Sequence, residues 1–80
     1  MAEVTYYVVL PFVRTEAGLV AEQAVEAPSR VAAVSRARLA AATKAGAVAF
    51  ARTGDPALGD FTDAQVLAKF GEVPEDLSEY

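Results

Sequence analysis

Residues 4–14 read Val-Thr-Tyr-Tyr-Val-Val-Leu-Pro-Phe-Val-Arg. β-Branched and aromatic side chains of this kind favour an extended chain. Strand alternation sends Tyr6, Val8, Leu10 and Phe12 to one side and Tyr7, Val9, Pro11 and Val13 to the other. Both rows are apolar, the pattern of a strand covered on both faces, so this stretch belongs inside a sheet rather than at its edge. Pro11 has no N–H to give to a ladder, which predicts weakened or bulged pairing beside it.

On the C-terminal side, Thr15-Glu16-Ala17-Gly18 is a turn in which Gly18 can take a positive φ. Residues 19–27 then alternate: Leu19, Ala21, Gln23 and Val25 on one face, Val20, Glu22, Ala24 and Glu26 on the other, wetter one. The first two predicted strands therefore form a hairpin. Ser29, after Pro28, has the hydroxyl of a good helix N-cap, and the alanine-rich run 30–45 is strongly helix-forming. Its predicted buried stripe is Val31, Val34, Ala37, Ala41, Ala42 and Ala45, and Gly46 is placed to end it in a left-handed conformation. A third strand, 47–53, sets Val48 and Phe50 opposite Ala47, Ala49 and Ala51. Residues 53–60 are dense in turn formers. A fourth strand, 64–73, sets Val66, Ala68 and Phe70 opposite Leu67 and Lys69. The pattern predicts an α+β domain over residues 1–74, ordered ββαββ. Its four-stranded, mainly antiparallel sheet carries one helix on one face, and residues 75–80 are an acidic tail. Strand order 2-1-3-4 is favoured, because 1-2-3-4 would leave the most apolar strand at an edge.

The chain has 80 residues, of which 54% are hydrophobic, but 18 of these are alanine, leaving 25 able to fill a core. A core of this size supplies only about 3–5 kcal/mol of net stability. There is no cysteine, hence no disulfide or thiolate metal site, and no histidine, the commonest general base and metal ligand. Self-association is the remaining source of extra stability. A net charge of −4 argues against nucleic-acid binding and against anionic membrane surfaces. No apolar run approaches the ~20 residues of a membrane helix, and the first residues lack the features of a signal peptide. A cytoplasmic protein is expected, and the use of Ala, Val, Arg and Gly without Ile points to a GC-rich bacterial genome.

Two stretches carry a resemblance. They are Tyr6-Tyr7-Val8-Val9-Leu10-Pro11-Phe12, and Gly46-Ala47-Val48-Ala49-Phe50-Ala51-Arg52-Thr53-Gly54-Asp55-Pro56 running on to Phe70-Gly71-Glu72-Val73-Pro74. Together they resemble a group of short bacterial proteins with no assigned activity. The resemblance implies a compact, stand-alone cytoplasmic domain and transfers no functional residues.

Among residues able to bear chemistry, Asp55, Asp60 and Asp63 offer hard oxygen ligands, but their spacing is not that of an EF-hand, and Asp-Pro and Gly-Asp are common turn formers. Arg52-Thr53-Gly54-Asp55 can cradle an anion through the guanidinium and backbone N–H groups, though it is not a P-loop. Arg38 lies near the middle of the predicted helical stripe, poised to snorkel or to pair with Glu22 or Glu26. Tyr6 and Tyr7 could stack bases, but their neighbours are not basic. Ser29, Ser35 and Ser78 have no evident activating partner. The sequence thus points to a small non-catalytic binding module without cofactor or metal, engaging an unknown protein partner or a second copy of itself. The dimer face is drawn from Tyr6, Tyr7, Val9 and Val13. The alternative is a small-molecule or anion site at Arg52 and the 54–60 loop, with contacts from Arg38, Arg52, Asp55 and Asp60. A carboxylate-based enzyme ranks behind both.

Overall fold

The computed structural model describes residues 3–55, 57–61 and 64–74. The predicted first strand is one unbroken element, β1 (Val4–Thr15). At its end Thr15 Oγ1 accepts the N–H of Ala17 at 3.1 Å and donates to the Gly18 carbonyl at 3.2 Å. Gly18 takes φ 105°, and the turn feeds β2 (Gly18–Ala21), antiparallel to β1. A short segment, β3 (Val25–Ala27), then resumes pairing with β1. Ser29 caps helix α1 (Arg30–Thr43), its Oγ accepting the Ala32 N–H at 3.1 Å. The chain returns as β4 (Gly46–Asp55), antiparallel to β1 along residues 4–12. Both β5 (Asp60–Phe61) and β6 (Gln65–Gly71) pair antiparallel with β4. The sheet runs β2-β1-β4-β5, with β3 added to β1 and β6 to β4. The architecture is α+β, one helix on a mainly antiparallel sheet, and β1 lies inside it. Among the described residues there are six strand segments where four strands were expected, and the predicted tail, residues 75–80, lies outside the described residues.

Pro11 explains the broken edge. Its carbonyl accepts the Glu22 N–H at 2.9 Å, so its peptide edge faces β2 and β3. The N–H it lacks is missing on that same side. Phe12 pairs with Ala21, but Val9 pairs with Val25, so three steps along β1 match four along the edge. One extra residue is accommodated at 22–24 as a bulge, and a one-residue slip turns every later side chain over. The strict alternation expected over 19–27 is thereby corrected. Leu19 and Ala21 stay on the face of Phe12, while Val25 and Ala27 move to the face of Tyr7 and Val9. A second slip lies between Ala49 and Phe50, which pair with Ala68 and Val66. It sends Leu67 and Phe70 to the helix side and Val66 to the other, so Val66 and Phe70 do not share a face as expected.

The helix packs by its smallest residues. Ala33 and Ala37 are fully buried against Ala47 and Ala49 of β4 and Val9 of β1, with Tyr7, Val34, Ala40, Leu67 and Phe70 around them. Val31, expected in the buried stripe, is 78% exposed, and Leu39 is 68% exposed. Alanine facing alanine lets helix and sheet approach closely, which a valine row would prevent. The expected left-handed end at Gly46 is also corrected. Lys44 is the C-cap, with its N–H on the Ala40 carbonyl, and Gly46 is not among the positive-φ glycines, which are Gly18, Gly59 and Gly71. Glycine is required there by close approach: a Cβ on Gly46 would lie 2.6 Å from the backbone C and N of Glu72.

The helix-free face has its own core. Phe12 and Val48 are fully buried with Leu10, packed by Leu19, Ala21, Phe50 and Val73. Gly71, at φ 69°, turns the chain out of β6. The Glu72 N–H donates to the Ala45 carbonyl at 2.9 Å, and Val73 packs against the Leu10, Phe12 and Val48 cluster. Arg14 pairs with Glu72, and the hydrogen bond to Glu72, with its charge, holds the Arg14 guanidinium above its ordinary pKa. Lys44 pairs with Glu22 at the bulge.

Candidate functional site

The remainder of the helix-free face is open. Tyr6 and Val8 of β1, Phe50 of β4 and Val66 of β6 form an apolar strip there, each only partly covered or exposed. Beside it lies a cleft of about 360 Å³ lined by Tyr6, Val8, Ala24, Glu26, Arg52 and Phe61. The Tyr6 and Phe61 rings meet at 5.8 Å between centroids, tilted by 48°. Arg52 stands opposite Tyr6 in the register and Glu26 opposite Val8. The two charges therefore rise from opposite flanks of β1, with an aromatic and aliphatic floor between them.

The bulge decides which residue supplies the acid. Had the β2 register continued, Val25 would stand opposite Val8, and Glu26 would turn to the helix side. The extra residue at 22–24 brings Ala24 and Glu26 into the cleft instead. Arg36 touches Glu26 only at its main-chain carbonyl, at 3.4 Å. Among the described residues the ion pairs are Arg14–Glu72 and Lys44–Glu22, and neither the Glu26 carboxylate nor the Arg52 guanidinium has an ion-pair partner there.

Of the four contact candidates singled out by sequence, Arg52 lines this cleft. Arg38 is on the other side of the sheet, its guanidinium 5.4 Å from the centre of the Phe70 ring. This corrects the pairing expected with Glu22 or Glu26, since Lys44 holds Glu22. Asp55 performs turn chemistry. Its Oδ1 accepts the Ala57 N–H at 2.9 Å, and its carbonyl accepts those of Leu58 and Gly59. The side chains of Asp60 and Asp63 lie outside the described residues. Of the residues drawn on for a dimer face, Tyr7 and Val9 pack against the helix-side core, and Val13 shares their row. Tyr6 alone is on the open face. Glu26 and Phe61 were missed as site residues. Only the missing donor at Pro11 hinted that the edge strand would slip and bring Glu26 round. Among the described residues no group of acids is placed to hold a metal, and no helix is long and apolar enough to cross a membrane. No family model, curated protein or solved structure matches the chain.

Proposed function

We propose that this protein is a small non-catalytic binding module that associates with a second copy of itself through the open half of its helix-free face. The observation that carries the reading is the strip of Tyr6, Val8, Phe50 and Val66, which continues directly from the buried Leu10, Phe12 and Val48. An apolar face rimmed by charge is an association surface. A two-fold partner would extend a core that one short chain leaves small. The non-catalytic part is supported by the absence of His and Cys and by the use of the Ser29 hydroxyl as a helix cap. The same reading treats β2 and β3 as one edge strand broken at the bulge, and β5 and β6, which both pair with β4, as a second broken strand, which reduces the architecture to a ββαββ unit. It places the module in a bacterial cytoplasm, on compositional grounds.

Light scattering from micromolar to submillimolar protein tests the reading. The mass is expected to rise toward twice 8.4 kDa. Four strands about 4.8 Å apart make a face nearly 20 Å wide, so the contact is small and dissociates on dilution. Tyr6→Glu is expected to give a folded monomer, because Tyr6 is on the open strip. Tyr7→Glu is expected to unfold the chain, because it places a charge beside Val9 and the helix. A wild type that stays monomeric throughout overturns the reading.

A second reading rests on Arg52, which lines a cleft of a size that admits a small anion with an aromatic body. A ligand that binds only the native state raises the melting temperature by mass action. A panel of phosphate, nucleotides and aromatic carboxylates should therefore shift it for the wild type and not for Arg52→Gln. Silence across the panel rejects this reading.

A further inference from the structure

We propose that Glu26 and Arg52 pair between protomers, Glu26 of one with the partner's Arg52, and thereby set the direction of the two-fold axis. This rests on the self-association proposed above and names the contact that orients it. β3 and β4 flank β1 on opposite sides, and Glu26 lies level with Val8 but Arg52 level with Tyr6, so their backbones stand about 12 Å apart. The two side chains form no ion pair with one another, and among the described residues nothing else pairs them. Lys69, opposite Val48 on β6, adds to the positive side. Among the described residues the open face is thus polarised, acidic on the β3 flank and basic on the β4–β6 flank, with the Tyr6 and Val8 strip between.

A two-fold axis relating two facing sheets must lie in the plane between them, and the same patch then meets itself. Only two kinds of placement matter. An axis running broadly along β1 exchanges the flanks, so Glu26 meets the partner's Arg52 and Arg52 meets the partner's Glu26, two pairs at once. An axis running across β1 sets each flank over its own copy. That stacks acid on acid and base on base at the margin of an apolar contact, where like charges suppress association. The charge pattern therefore selects the first axis. Because both side chains are exposed at the rim, the pairs act on orientation and on salt dependence more than on raw affinity.

Charge exchange tests this in the intact chain, with sedimentation giving the dimer dissociation constant and circular dichroism confirming the fold. Glu26→Arg and Arg52→Glu should each weaken the dimer about tenfold, and the double variant Glu26→Arg/Arg52→Glu should restore it, since the swapped pairs re-form across the two-fold. The milder Glu26→Gln and Arg52→Gln should weaken it several-fold and flatten its response to salt. They serve if a reversal disturbs the β3 edge. If wild type and all variants dimerise alike, or if the double variant is no better than the singles, the pairing is overturned while self-association stands. If the wild type does not dimerise at all, self-association fails and the pairing fails with it.

Discussion

Replacing Gly46 with alanine is expected to leave no folded protein at room temperature. The added Cβ would come within 2.6 Å of the Glu72 backbone N and C and closer still to its carbonyl oxygen. All three atoms are main chain and cannot swing aside as a side-chain tip would. Relief from the opposite side is closed as well. Gly71 stands directly across from Gly46, and a Cβ there would lie 2.5 Å from the Ala45 carbonyl oxygen. Moving the strands apart would also break the Glu72 N–H bond to Ala45. Overpacking costs up to about 3 kcal/mol even where side chains can adjust. This clash exceeds that, against a total of roughly 3–5 kcal/mol for a core of this size. Circular dichroism and urea unfolding check it. Gly46→Asn should fail equally, although asparagine is tolerated at a left-handed helix end. Gly59→Ala, with open space around it, should cost only the left-handed backbone term of about 1–2 kcal/mol. A normal urea midpoint for Gly46→Ala would disprove the close approach.

Phe12→Ala is expected to cost about 3–5 kcal/mol, again the whole of the stability. Phe12 is fully buried on the face that carries no helix, among Leu10, Val48, Leu19 and Val73. The comparison that gives the number meaning is Val31→Ala, the removal of a large apolar side chain from the helix. It should change stability by less than about 0.5 kcal/mol, because Val31 faces solvent. Urea midpoints for the two variants measure the contrast. A loss below about 1 kcal/mol for Phe12→Ala would mean that the helix-free cluster is not a packed core.

What could be read from the sequence was short-range chemistry. The Thr15–Gly18 turn and the Ser29 cap depend on neighbours three residues away, and both were legible. So was the interior position of β1, because both of its rows are apolar. The helix face was not legible, because alanine occurs on nearly every side of α1: Val31 and Ala33 lie almost opposite one another on the helix, and composition does not say which of the two sides is buried. The role of Gly46 depends on Glu72, which no local pattern connects to it. The two register slips fall in alternating segments, where either face is an acceptable reading until the partner strand is known. That is why Arg52 was recognised as a candidate and Glu26, turned to the same cleft by a single extra residue, was not. The rows of Tyr6 and Tyr7 were equivalent by composition, and the small side chains of Ala47 and Ala49 under the helix separated them.

The proline that breaks the edge also matters before the sheet exists. The central ladder joins Val8 to Phe50 and Val4 to Gly54, pairings far apart along the chain that form slowly because a long loop must first close. Until then Val4–Leu10 is an uncharged, strongly β-forming stretch with both edges unpaired, the composition that seeds intermolecular stacking. Pro11 stops that stretch from running on through Phe12 and Val13. In the unfolded chain it acts as a gatekeeper against aggregation, and the bulge in the native sheet is the trace that this protection leaves.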